Sequence, residues 1–439
     1  MECPATGGPV ASMPHNRPPM SSATSLSVYP GDSAVRDGRL SVGGCDAVEL
    51  AREFGTPAYV VAEASLRARA REFRAALREH HDGPGAVLFA AKAFSATPVL
   101  RVFAEEGLSC LVSTGGELHL ALRAGFVPER IQMHGNAKST HEIEAAIDVG
   151  IGTIVVDSFD DLERLERLVP AGRRQRVLVR VLPDVETDTH AAIATGHADA
   201  KFGMGLAHAA EALERIRACD RLETAGVHMH LGSQLFDTAP FRSGTEALLT
   251  LGEMEVYDLG GGLGVPYTPE DPVLSVDDYV RAKAEVLREL AGPGRTLLLE
   301  PGRALSASAC VTLYTVQTVK HGATRTWVSV DGGMSDNLRP MLYGARYQAA
   351  LADRVERDGE LCTVVGKHCE SGDELRRDVR LPDPRPGDVL VMPVTGAYGY
   401  SLANNYNGVP RPPIVFCEDG RARVVVRRET YDDLTARDA

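Results

Sequence analysis

The sequence predicts an α/β protein built as a (β/α)8 TIM-like barrel followed by a mainly β C-terminal domain. Between about residues 86 and 302, short β-branched runs alternate with longer stretches whose apolar residues recur at helical spacing. The short runs are continuously apolar, as parallel strands covered by helices are. After Arg303 the texture changes to strand-like runs separated by Gly, Pro and Asp turns.

Taken in order, the barrel strands are expected at 86–91, 110–113, 131–134, 153–157, 177–182, 225–230, 256–259 and 296–300. Helical spacing marks 97–106, 116–124, 140–149, 159–168 and 276–290 between them. Roughly eight strand–helix repeats in some 220 residues fit a closed barrel. A doubly wound sheet uses the same alternation with fewer repeats and a chain reversal. In the second unit, 311–319, 326–330, 361–365, 389–394 and 422–426 read as strands. A strand within 41–59 is expected to join them. The organisation predicted is a leader at 1–27, an N-terminal segment at 28–59 joining the β domain, the barrel at 60–304 and the β domain at 305–439.

Composition narrows the function classes. A 44% hydrophobic share over 439 residues supports two packed units. The formal charge of −13 argues against nucleic acid, which rewards basic surfaces. No uninterrupted apolar run approaches the roughly 20 residues that span a bilayer, so no membrane partner is expected. Residues 1–27 are rich in Pro, Ser, Gly and Met and lack the pattern of a secretory signal; they read as disordered. The eight cysteines form no CxxC pair or metal spacing. Reduced thiols and a cytoplasmic protein follow.

Chemistry-bearing residues gather at the carboxyl ends of the barrel strands, where such barrels place their sites. Lys92 ends the first strand in FAAKAF. An amine buried there is costly, and an imine with an aldehyde cofactor removes the charge. A lysine snorkelling at the barrel mouth is the plain alternative. His230 and Ser233 end the sixth strand in HMHLGSQ, an imidazole able to stack on a flat ring and a hydroxyl able to bond a phosphate. The HxH pair is also a metal-ligand pattern. Gly260, Gly261 and Gly262 follow the seventh strand; such a run either closes backbone N–H groups on an anion or simply turns the chain. Glu300 and Arg303 end the eighth strand in EPGR. They form a structural ion pair, or Glu300 faces a protonated pyridine nitrogen while Arg303 holds a phosphate or carboxylate.

In the second unit, Cys369 and Glu370 stand side by side in GKHCESGD. A thiol, mostly protonated near neutral pH, can donate a proton. Arg339 in DNLRP suits a bidentate carboxylate contact, and Tyr398 sits in a Gly-flanked turn. Each of these three motifs also has a structural explanation.

In combination FAAKAF, STGGEL, HMHLGSQ, DLGGGLG, EPGRA, DGGMSDNLRP, LYGA, GKHCESGD and TGAYGYS resemble the alanine-racemase-like barrel enzymes that use pyridoxal 5'-phosphate, specifically the diaminopimelate decarboxylase family. The resemblance runs from about Leu40 to Asp433. It implies a carboxy-lyase of lysine biosynthesis, converting meso-2,6-diaminopimelate to L-lysine and CO2. It implies Lys92 as the Schiff-base lysine and His230 stacked on the ring. Glu300 is implied at the pyridine nitrogen, with Ser233, Gly260 to Gly262, Arg303 and Tyr398 around the phosphate. Arg303, Arg339, Tyr343, Glu370 and Tyr398 are implied to hold the substrate, and Cys369 to donate a proton from the other subunit. A homodimer with sites shared across its interface follows from that implication.

The sequence departs from the family pattern twice. Residues 235–255 are fewer than the family usually has, which would trim the helix after strand six and shift His230 or Ser233. Leu182-Pro183-Asp184 replaces a common Asn-Pro. Decarboxylation of another basic or carrier-bound amino acid therefore stays open, as does a non-catalytic regulator on the same scaffold. Glu300 argues against a racemase, whose family members place an arginine at the ring nitrogen.

Overall fold

In the computed structural model, residues 26–185 and 201–439 are described. Most of the predicted leader lies outside them, and Leu26–Val28 form a single 3-10 turn with Val28 buried. Eight parallel strands close into a ring: β1 (Gly85–Ala90), β2 (Ser109–Val112), β3 (Ile131–Met133), β4 (Thr153–Val156), β5 (Gln175–Leu182), β6 (Leu222–His228), β7 (Val256–Asp258) and β8 (Thr296–Leu299). The sheet runs in chain order from β1 to β8, and β8 pairs back to β1 through Leu297 opposite Gly85. All eight expected strands are present; the doubly wound alternative is not the fold.

Alternation along each strand explains why one side of the ring is covered by helices. Val87 and Phe89 join the large core beneath the helices, while Leu88 and Ala90 pack with Leu111 and Leu298 in a separate small cluster. Val155, Leu178, Ala225 and Val256 form a second such cluster with Leu298. Both sets lie on the opposite strand face, toward the barrel interior, as period-two geometry requires.

Helices Thr97–Glu105, Gly115–Ala124, Thr140–Val149 and Phe159–Leu168 follow β1 to β4 at the predicted places. Ser139 and Glu142 cap the third of these reciprocally, and Ser158 caps the fourth. Leu206–Arg217 and Ala239–Leu249 supply the helices after β5 and β6. The shortened segment thus still carries an eleven-residue helix. Val276–Ala291 follows β7 and packs against Glu63–His80, which precedes β1.

The second sheet is organised on the twelve-residue strand Cys310–His321. Its first half pairs antiparallel with Val389–Pro393 on one side and with Ala58–Ala62 on the other. Its second half pairs with Thr326–Val330, which continues to Glu360–Val365 and Glu374–Leu381. Ile414–Glu418 and Arg421–Val426 extend the sheet beyond Ala58–Ala62. The strand that enters this sheet from the N-terminal side, Ala58–Ala62, overlaps the expected 41–59 stretch only at its start, while Arg39–Val42 and Cys45–Asp46 pair in a small separate sheet with Ala34–Arg36. Two of the strands just named are not marked by the sequence pattern. In Glu374–Leu381 three arginines and two acids mask the alternation, and Ile414–Glu418 directly follows a Pro-Pro pair.

This sheet reaches the barrel mouth through one tight turn. Tyr398 adopts φ +61° and its N–H donates to the Ala93 carbonyl at 2.7 Å. The Ser95 N–H donates to Ser401 Oγ at 2.8 Å. A left-handed tyrosine is costly and persists where neighbours over-determine it, and here it clamps the turn that bears Lys92.

Among the described residues, no helix is long and apolar enough to cross a membrane.

Candidate active site

A cavity of about 1070 Å³ opens at the carboxyl ends of the barrel strands. That exceeds the ordinary small-ligand pocket and leaves room for a cofactor together with a substrate. Lys92, His230, Ser233, Gly262, Glu300, Arg303, Arg339, Tyr343 and Tyr398 all line it. His230 and Ser233 keep their places there despite the short segment that follows. Gly260 and Gly261 lie beneath the lining. Cys369 and Glu370 do not line the cavity of their own chain; both are exposed on the β domain.

Lys92 sits in the 3-10 turn Ala91–Ala93 immediately after β1. Its side chain is exposed to the cavity, so the burial expected from the sequence is corrected: strand β1 is buried, and the turn lifts the amine out of it. Glu117, whose Oε2 accepts from the Ser113 N–H at 2.7 Å, faces the same space. Burial raises the Glu117 carboxyl, and the nearby Lys92 charge acts against that rise.

Glu300 anchors the cavity floor. Its Oε1 lies 2.8 Å from His134 Nε2 and accepts from Gln132 Nε2 at 3.0 Å. Its Oε2 lies 3.2 Å from His228 Nε2. Burial acts to raise this carboxyl, yet His134 and His228 hold it well below the usual carboxylate range. Burial also pushes His228 down to about 4 and lowers His134, and each ring turns its Nε2 to the carboxylate as a donor. His228 Nδ1 is correspondingly a buried acceptor without a partner among the described residues. Asp258 completes the group, accepting from Gln132 Nε2 at 2.6 Å. Burial, and then the Glu300 charge, push Asp258 well above its ordinary range.

The HxH pair divides between two tasks and is no chelate. His228 turns to Glu300, whereas His230 Nδ1 accepts from the Gly261 N–H at 3.4 Å. A Cβ on Gly261 would meet the Glu300 carbonyl at 2.2 Å, so glycine is what lets the end of β7 rest against the end of β8.

At the opposite wall, Arg303 donates to Tyr267 Oη at 2.6 Å and to Ser233 Oγ at 3.0 Å. Its Nε is a buried donor without a partner among the described residues. Arg303 and Glu300 make no ion pair here, so the structural-pair reading fails. Arg339 donates to Tyr347 Oη at 2.5 Å and lies over the Tyr267 ring at 4.6 Å.

Sequence reasoning did not single out Gln132, His134, Asp258, Tyr267 or Tyr347. Gln132 and His134 carried a usable signal: polar residues at the end of an otherwise apolar strand. Tyr267 and Tyr347 sit in irregular loops and carried none.

Residues 63–307 match the family model described as pyridoxal-dependent decarboxylase, pyridoxal binding domain. The chain is 46% identical to a diaminopimelate decarboxylase of Actinosynnema pretiosum subsp. auranticum, over 95% of this chain and 96% of that one. The chain belongs to the diaminopimelate decarboxylase family. The Bacillus subtilis (strain 168) member is 43% identical over 91% of this chain and 95% of its own. Among solved structures, the M. jannaschii diaminopimelate decarboxylase in complex with L-lysine superposes with a TM-score of 0.88 at 33% identity, covering 93% of this chain and 98% of that one.

Family membership makes the chain a carboxy-lyase that uses pyridoxal phosphate, and the donor set fits that cofactor. A cavity-lining amine, an ionised carboxylate on the floor and the unpartnered Arg303 donor beside a serine hydroxyl match its aldehyde, ring nitrogen and phosphate in kind.

Proposed function

We propose that the chain decarboxylates meso-2,6-diaminopimelate to L-lysine and CO2, with pyridoxal phosphate held on Lys92. The observation that carries this reading is Glu300, faced by Gln132, His134 and His228 on the floor of a cavity that also presents Lys92 and two arginines.

Bound there, pyridoxal phosphate supplies an electron sink for the pair left behind when the carboxylate departs. Glu300 keeps the ring nitrogen cationic, and the three donors around Glu300 keep it able to do so. His230, its Nδ1 tied to the glycine run, offers its ring face to the cofactor. Ser233, Gly262 and Arg303 receive the phosphate, and Tyr398 closes this end. Arg339, with Arg303 and Tyr343, receives the distal carboxylate of the substrate.

Cys369 and Glu370 act in a neighbouring subunit's cavity in this reading. Their exposure supports it, as does the apolar surface around them, where Met341, Leu342 and Tyr406 are exposed. The partner subunit's Cys369 then protonates Cα and the partner's Glu370 takes the distal ammonium. The compartment proposed is the cytoplasm, which suits seven free thiols among the described residues.

The test is CO2 release from meso-diaminopimelate, L-lysine and L-ornithine, with product chirality determined. Leaving Arg339 unpaired costs about 3–5 kcal/mol, so the two shorter substrates should be disfavoured by roughly 10²-fold or more in kcat/KM. Arg339→Met should raise KM for diaminopimelate and compress that preference. Equal rates on all three substrates, or an unchanged KM in the variant, would contradict the assignment.

A further inference from the structure

Lys283 lies on the inner face of helix Val276–Ala291 with none of its surface reaching solvent. Its Nζ donates to the carbonyls of Leu259 at 2.8 Å and Gly260 at 2.9 Å, and to Tyr279 Oη at 2.6 Å. Tyr279 in turn donates to the Gly261 carbonyl at 2.6 Å. The ammonium has three protons and these three acceptors take them. The rings of Phe241 and Tyr279 face it at 4.2 and 4.4 Å. Burying a lysine is expensive, and a leucine would fill an apolar helix face at lower cost. The amine holds the carbonyls of Leu259 and Gly260 directly and that of Gly261 through Tyr279.

That arrangement has a geometric consequence. In a trans peptide the C=O and the following N–H point in opposite directions. Pinning the carbonyls of residues 259, 260 and 261 toward the helix turns the N–H groups of Gly260, Gly261 and Gly262 the other way. Gly260 N–H then donates to Asp258 Oδ1 at 3.0 Å, and Gly261 N–H to His230 Nδ1 at 3.4 Å. Gly262, at φ +111°, lines the cavity with Ser233 and Arg303.

We infer that Lys283, acting with Tyr279, is the positioning residue that aims the glycine run at the cofactor phosphate and sets the orientation of His230. The inference rests on the phosphate placement proposed above and extends it to two residues that touch no ligand.

The experiment titrates apoproteins with pyridoxal phosphate and with pyridoxal, which lacks the phosphate, following the absorbance of the bound chromophore. Lys283→Met should raise the Kd for pyridoxal phosphate about tenfold or more while moving that for pyridoxal less than about twofold, the scale on which residues orient a ligand through others. Tyr279→Phe keeps the ammonium on the Leu259 and Gly260 carbonyls and removes the hydroxyl that links it to the Gly261 carbonyl; it should give a smaller loss of the same kind, and it decides the matter if Lys283→Met does not fold. Ser233→Ala reports where the phosphate sits. If Ser233→Ala weakens binding and the other two variants do not, the inference fails and the placement stands. If none of the three weakens it, both fail. Equal losses for the two ligands would mark Lys283 as merely structural and overturn the inference.

Discussion

Glu300→Gln protein is expected to bind pyridoxal phosphate yet turn over about 10²–10³-fold more slowly, the scale for removing one preorganised electrostatic group. The substitution preserves shape and removes the charge proposed to keep the ring nitrogen protonated. Its effect falls on kcat because the demand for an electron sink is greatest in the transition state. Gln132, His134 and His228 all give hydrogen to this carboxylate, and an amide oxygen cannot satisfy them equally. A stability loss of about 1–3 kcal/mol should therefore accompany the kinetic one. Kinetics on the folded fraction separates the two. Wild-type kcat would remove Glu300 from the chemistry.

Cys369→Ala should keep cofactor affinity and lose about 10²–10⁴-fold in turnover, the range spanned by positioned acid–base groups. The more telling form of this test mixes Cys369→Ala with Lys92→Ala protein. In a mixed dimer with shared sites, one cavity would combine the Lys92 of one chain with the Cys369 of the other. Random exchange should restore about a quarter of wild-type activity, since half the dimers are mixed and each carries one intact site. Absence of rescue, with subunit exchange verified, would place both residues in one chain's site or remove Cys369 from it.

The barrel was legible because its strands are buried on both faces and read as unbroken apolar runs such as Val-Leu-Phe-Ala in β1. Helix Phe159–Leu168 was readable to the residue, because Ser158 caps it and its leucines recur at helical spacing. Glu374–Leu381 was not legible, since its pairing with Glu360–Val365 decides its conformation against a charged local sequence. The site divides in the same way. Lys92, Glu300 and Arg303 each follow closely on a barrel strand and can be placed from sequence alone. The donors around Glu300 come from β3 and β6, strands well apart in the chain, and only closure of the ring brings them together. Lys283 is concealed differently: on a helix dotted with charges, one more lysine carries no mark of burial.

If Lys92 holds the cofactor as proposed, reduction of the holoenzyme with borohydride followed by peptide mass mapping will mark that lysine. Three other lysines give the result its meaning. Lys201 also lines the cavity, whereas Lys138 and Lys283 are buried with their protons engaged by carbonyl, carboxylate and hydroxyl oxygens. The expected result is a pyridoxyl mark on the peptide bearing Lys92 and on no other. A mark on Lys201 or another lysine, or no stable mark on protein saturated with pyridoxal phosphate, would contradict it.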